Sequence, residues 1–232
     1  MKKIKIYISA VIAVLFFNSC GLSDVDNYDA PNASIYGGIY DNETGELVQQ
    51  DLLEGVRIEY VEDGFANPEI QSMVVQTDGT YRNKLMFANT YMIHPVRGNF
   101  VDVPQKGVEV KGDTKIDFQV QPYIRIKNAK IEKQANKIVA TFNIQQTVRN
   151  TVNRVVLFAH QEPNVGNPLN IVRTELSIDG TTYENTEYRL EIDLDQYAST
   201  LKPGSQYFFR IGALINAPEA KFNYAPAVRL TL

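Results

Sequence analysis

The sequence has no tryptophan, two histidines and a single cysteine, Cys20, in 232 residues. A lone cysteine excludes an intrachain disulfide and a thiolate metal cluster, so stability must come from ordinary hydrophobic cores. A histidine metal site wants two or three converging ligands, and His94 and His160 lie in different halves of the chain. There is no basic cluster, which argues against nucleic acid, whose phosphates are read by Lys and Arg. No Gly-rich phosphate loop follows any strand pattern, and no segment sustains a 3.6-residue period. Neither a cofactor nor a metal site is expected.

Long apolar runs are also missing. The longest, Ile6–Phe17, has 12 residues, against the roughly 20 that a membrane-spanning helix needs. Lys2, Lys3 and Lys5 precede it, and Asn18-Ser19-Cys20-Gly21 follows. A basic n-region, a short apolar run and a small residue before a cysteine predict a signal peptide over 1–19. Ser19-Cys20 fits a lipobox-type site, although Phe17 stands where Leu is more common. Cys20 is thus the expected lipid attachment point. Several acyl chains on it would anchor the chain stably, as one would not. Removing 1–19 takes three lysines and no acid, leaving 20 basic against 27 acidic residues, a net charge of −7 instead of −4.

Residues 20–33 are polar, acidic and aperiodic, which predicts a flexible tether. From residue 34 the dominant period is two, the sign of half-buried strands. Val56, Ile58 and Tyr60 alternate with Arg57 and Glu59; Tyr188, Leu190, Ile192 and Leu194 alternate with Arg189, Glu191 and Asp193. Turn chemistry separates the runs at Asn42–Gly45, Asp78-Gly79 and Lys111-Gly112-Asp113. The pattern breaks at Gln121-Pro122-Tyr123 and then restarts. The expected fold is all-β, two tandem β-sandwiches over 34–121 and 122–232, each of about seven strands. So short a linker predicts domains that touch.

In the first domain, Ile35–Asp41, Thr44-Gly45-Glu46, Gly55-Val56, Thr77–Tyr81 and Asn89-Thr90-Tyr91 resemble the carboxypeptidase-regulatory-like family, a transthyretin-type sandwich. That family serves mostly as a structural or binding module and offers no catalytic residue to carry over. In the second, Leu201–Ile211 resembles the loop entering strand F of a fibronectin III-like domain. Tyr207 is the candidate for the tyrosine that bonds back to the preceding corner, and Phe142 stands where a tryptophan is usual. Asp24, Asp26 and Asp29 resemble the export signal of surface lipoproteins of the Bacteroidetes. Together these features resemble an uncharacterised Bacteroidetes lipoprotein family of polysaccharide-utilisation loci. That resemblance implies an outer-membrane, surface-facing protein acting near glycan importers.

Candidate chemistry is sparse. Asp41–Glu46 carries oxygen ligands in a tight turn but lacks the spacing and distal glutamate of an EF-hand. Glu59, Glu62 and Asp63 fit solvated edge charges, whereas a glycosidase needs two carboxyls at a set separation across a cleft. Most of the 13 Tyr and 11 Phe occupy inward positions. Phe65, Phe100, Tyr183, Phe222 and Tyr224 are expected in loops, and Phe65 is a further candidate for ligand or interdomain contact. In a fibronectin-type topology Tyr183 and Phe222 would share the end facing the first domain, where with Tyr224 they would line a ligand groove or glue the domains together. The function expected is a non-enzymatic, lipid-anchored surface protein that binds polysaccharide or supports an outer-membrane glycan-import complex. The alternative is a structural or adhesive module that contacts protein and no sugar.

Overall fold

A computed structural model describes residues 29–232. The signal-peptide and lipidation expectations, with Cys20, Asp24 and Asp26, lie outside the described residues. Among those described there are sixteen strands and no helix, which makes the chain all-β with two tandem sandwiches.

The first sandwich contains β1 (Ala33–Asp41), β2 (Arg57–Glu62), β3 (Gln71–Val74), β4 (Thr80–Met86), β5 (Asn89–Val96), β6 (Lys106–Val110), β7 (Asp113–Lys115) and β8 (Phe118–Val120). One sheet runs β4-β1-β7 with β8 also on β1; the other runs β3-β2-β5-β6. Between them lie Ile35, Ile39, Ile58, Tyr81, Ile93 and Phe118, all essentially solvent-free. The alternation through Ile116, Phe118 and Val120 holds in their burial, although the ladder with β1 breaks between β7 and β8, where the chain presses onto Gly37. A Cβ on Gly37 would come within 1.7 Å of the Ile116 carbonyl oxygen, so only glycine admits that approach. The Tyr81 hydroxyl donates to this same oxygen at 2.6 Å.

The second sandwich contains β9 (Ile124–Gln134), β10 (Lys137–Gln146), β11 (Val152–His160), β12 (Val172–Gly180), β13 (Glu187–Asp193), β14 (Gln206–Ile215), β15 (Asn223–Tyr224) and β16 (Val228–Thr231). Its sheets run β13-β10-β9 and β12-β11-β14-β15, with β16 also on β14. Phe142, Ile144, Val155, Leu157, Phe209 and Ile211 fill the space between. The Tyr207 hydroxyl donates to the Thr200 carbonyl at 3.1 Å and accepts from the Lys202 amide at 2.8 Å. This is the corner bond that Leu201–Ile211 suggested.

Each sandwich has eight strands where about seven were expected. The additions are short: three-residue β7 and two-residue β15 are too brief to display a period of two.

The second sandwich has an outer layer as well. Residues 155–159 (Val-Val-Leu-Phe-Ala) are buried throughout, as a strand covered on both faces must be. Val155 and Leu157 point into the main core, while Val156 and Phe158 join Val165, Phe222 and Tyr224 in a separate cluster. Gly212 makes room for it: a Cβ there would sit 3.0–3.1 Å from the rings of Phe158, Phe222 and Tyr224.

Candidate functional site

The two sandwiches meet through buried polar groups more than apolar ones. Arg210, in β14, is 1% exposed. Its Nη1 donates to the Gln50 carbonyl at 3.0 Å and the Val165 carbonyl at 3.3 Å, and its Nη2 donates to the Thr77 carbonyl at 3.1 Å. Its Nε donates to the Ala225 carbonyl at 3.0 Å, and the guanidinium lies 4.3 Å from the Tyr224 ring centroid. Burial pushes the Arg210 pKa down to about 10, so the group stays charged at neutral pH. The carbonyl fork and the aromatic face replace the water it has lost.

Asn99 and Asn223 continue the joint. The Asn99 amide donates to the Gln49 carbonyl at 2.9 Å and the Phe222 carbonyl at 3.0 Å, and its oxygen accepts from Gln50 Nε2 at 2.9 Å. Asn223 Nδ2 donates to the Asn99 carbonyl at 2.9 Å, and Asn223 Oδ1 accepts from the Ile124 amide at 3.1 Å. The Tyr224 hydroxyl donates to Asp51 Oδ2 at 3.0 Å. Burial, with the Asp51 charge second, drives the Tyr224 pKa far above its ordinary value, which keeps the phenol protonated as that donor.

At the edge of this joint, Arg125 of β9 clamps the end of β1. Its Nε and Nη2 reach the Asp41 carboxylate at 2.5 and 2.8 Å, and its Nη1 reaches Glu43 Oε2 at 2.7 Å. Burial alone would raise the Asp41 carboxyl. The Arg125 hydrogen bonds, the Glu43 amide and the Arg125 charge outweigh it and hold the group below the usual carboxylate range. The Asp41 and Glu43 carboxylates of this turn are therefore taken up by a guanidinium and not by a metal ion. Gly45 closes the turn at φ +72°, with its amide donating to the Asp41 carbonyl at 2.9 Å.

A cleft flanks the Arg125 clamp on each side. One, of about 370 Å³, has polar walls from Thr44, Glu46 and Lys127 and apolar walls from Leu47 and Pro226. The other, about 550 Å³ and more open, is lined almost wholly by polar groups, among them Asn42, Gln121, Gln145 and Thr147. The buried Oε1 of Gln145 has no hydrogen-bond partner.

The aromatic residues singled out from the sequence do not gather here as expected. Phe222 and Tyr224 are 6% and 7% exposed. They belong to the outer layer and the joint, and they offer no free face for stacking. Phe100 is buried as well. Phe65 is 62% exposed in the β2–β3 loop, at the end of the first sandwich away from the joint, so it makes no interdomain contact. Tyr183 is 76% exposed in the β12–β13 loop and does not pair with Phe222. Its loop does border the clefts: Glu184 is held at 2.5 Å by Lys127, which lines the smaller one, and the Thr182 amide donates to Gln146, next to Gln145.

Other candidates stay apart. His94 Nε2 lies 3.1 Å from Asp102, and His160 Nδ1 accepts from the Glu162 amide. Glu59 pairs with Arg97 and Glu62 accepts from Asn89, so neither faces a second carboxyl across a cleft. Among the described residues no group of three His, Cys, Asp or Glu could hold a metal ion. Sequence reasoning missed Arg125, Asn99 and Arg210; the one available signal was Arg210, a lone charge within the apolar run Tyr207–Ile215.

Two sandwiches joined by a buried polar network, with clefts beside the joint, define a class of tandem β-sandwich proteins built around a domain junction. The family models for the DUF3823 N-terminal domain (protein of unknown function) and the DUF3823 C-terminal domain (domain of unknown function) match residues 33–121 and 124–229. The chain belongs to the DUF3823 family. A Bacteroides uniformis protein described as a candidate carbohydrate-binding protein is 37% identical, with a TM-score of 0.79 over 87% of this chain and 100% of that one. A DUF3823 protein from Parabacteroides merdae, 24% identical with a TM-score of 0.75 over 88% and 100% of the two chains, shares the fold. Among curated proteins none matches.

Proposed function

We propose that this protein is a non-catalytic carbohydrate-binding lipoprotein. It is tethered through Cys20 to the outer membrane, faces the cell surface and works beside a glycan-import complex. The observation that carries the reading is the pair of clefts at the joint. Their hydroxyl-matching side chains, Asn42, Gln121, Gln145 and Thr147, are held on a fixed framework. Exposed Tyr183 stands by for the apolar face of a sugar. Ligand sites favour such domain junctions, and the Bacteroides uniformis relative described as a candidate carbohydrate binder supports the class. The two sandwiches are read as carboxypeptidase-regulatory-like and fibronectin III-like, the second supported by the Tyr207 corner bond.

Affinity electrophoresis against plant and host polysaccharides tests this. The wild type is expected to be retarded on at least one, and Gln145→Ala with Tyr183→Ala is expected to weaken retention several-fold without changing the melting temperature. No retardation on any polysaccharide, together with co-purification of an importer subunit, would favour a structural module instead.

A further inference from the structure

Eleven large apolar side chains are well exposed among the described residues, and four of them, Phe65, Ile70, Leu85 and Phe87, sit at one pole of the first sandwich. The topology brings them together. Ile70 and Phe65 lie in the β2–β3 loop, Leu85 next to the end of β4, and Phe87 in the link to β5. Asn89 ties these segments to one another, its Nδ2 donating to Glu62 Oε1 and to the Asp63 carbonyl, both at 3.0 Å. Single exposed apolar residues are ordinary on a protein surface, but a cluster marks a contact.

The same pole is where the chain enters the domain. The Asn32 amide donates to the Met86 carbonyl at 3.0 Å, and Asn32 Oδ1 accepts from the Ala88 amide at 2.8 Å. The joint with the second sandwich is at the opposite end of β1, where Asp41 meets Arg125. Ten residues separate Cys20 from Pro31, and even fully extended the eleven steps between them span at most about 40 Å. A lipid on Cys20 therefore keeps this pole, of all parts of the fold, within reach of the bilayer.

We propose that the Phe65–Ile70–Leu85–Phe87 pole is a membrane-contact surface that rests on the lipid beside the anchor and orients the joint outward. This rests on the lipoprotein reading of Cys20. The contact is apolar in character: Asp63, Glu69 and Asp113 stand against Lys84 and Lys111 around the pole, so attraction to anionic headgroups does not drive it. Orientation follows from having two points of attachment, the acyl chains and the apolar tip, where a tether alone would leave the protein free to tumble.

The test uses the full-length protein, isolated from membranes and reconstituted in phosphatidylethanolamine–phosphatidylglycerol vesicles that contain nitroxide-labelled lipid. Because Cys20 is the only native cysteine, Phe65→Cys or Lys202→Cys supplies a single thiol for an environment-sensitive fluorophore. Fluorescence at position 65 is expected to be blue-shifted and quenched at least several-fold more than at position 202, which lies at the far end of the second sandwich. With the anchor intact, equal quenching at the two positions overturns the proposal. So does a blue shift at 65 without quenching, since a protein would then be covering the pole. If the wild-type chain itself takes up the dye, Cys20 carries no lipid; the anchor reading has then failed, and the membrane-contact proposal falls with it.

Discussion

Arg125 and Asp41 form a bidentate pair whose side chains are 8% and 6% exposed. Breaking such a pair costs more than removing it whole, because the surviving charge is stranded in a dry site. Arg125→Met is thus expected to destabilise the protein by about 3 kcal/mol, while Asp41→Asn with Arg125→Met recovers most of that loss. Urea unfolding of the single and double variants checks this. The pH dependence has a definite sign. The Asp41 carboxyl is held lower in the folded chain than its unfolded value, near 3.9, so the pair's contribution is complete above that value. It fades as pH falls below it and is gone once the folded carboxyl protonates. The wild type should accordingly lose stability more steeply than Asp41→Asn on acidification below about pH 4; parallel curves would mean that Asp41 contributes nothing to acid sensitivity.

Strands long enough to show two or more periods were legible in the sequence. In β10, Ile138, Ala140, Phe142 and Ile144 point inward as their spacing required. The corner at Tyr207 was legible too, because its partners lie within seven residues. Replacing Tyr207 with Phe keeps the buried ring and removes both bonds, so a loss of about 1–2 kcal/mol is expected in thermal melts. Glycan retention should be untouched, since the corner lies at the end of β14 away from the clefts. The burial of Phe222 and Tyr224 was not legible, for a physical reason. They follow Ala217-Pro218-Glu219-Ala220-Lys221, which reads as a loop, and what buries them is the outward face of β11, some sixty residues earlier. A period of two reports which side of a strand is buried, and not what a later loop will lay across its other side.

At the scale of the molecule, the same limit explains why the clefts could not be placed beforehand. Arg125 and Gln145 face each other across the β9–β10 pair, but the Asp41 turn is 84 residues from Arg125 and meets them only through the joint. The short linker at Gln121-Pro122-Tyr123 did foretell contact, and the structure adds its nature: a buried network whose donors and acceptors alternate between the two sandwiches. Unfolding one sandwich alone would take from Arg210, Asn99 and Asp51 their partners across the joint, at a cost of roughly 1–3 kcal/mol for each group left unsatisfied. The wild type is therefore expected to melt in one calorimetric transition, with calorimetric and van 't Hoff enthalpies that agree. Gly166 offers a way to separate the halves, because a Cβ there would lie 2.5 Å from Asp51 Oδ2 and 3.2 Å from the Tyr224 hydroxyl. Gly166→Val should push the Asp51 loop off Tyr224 and divide the melt into two transitions. Two transitions already present in the wild type would show that the joint does not couple the sandwiches. The clefts beside it would then be parted in the free protein and formed only when a ligand closes them.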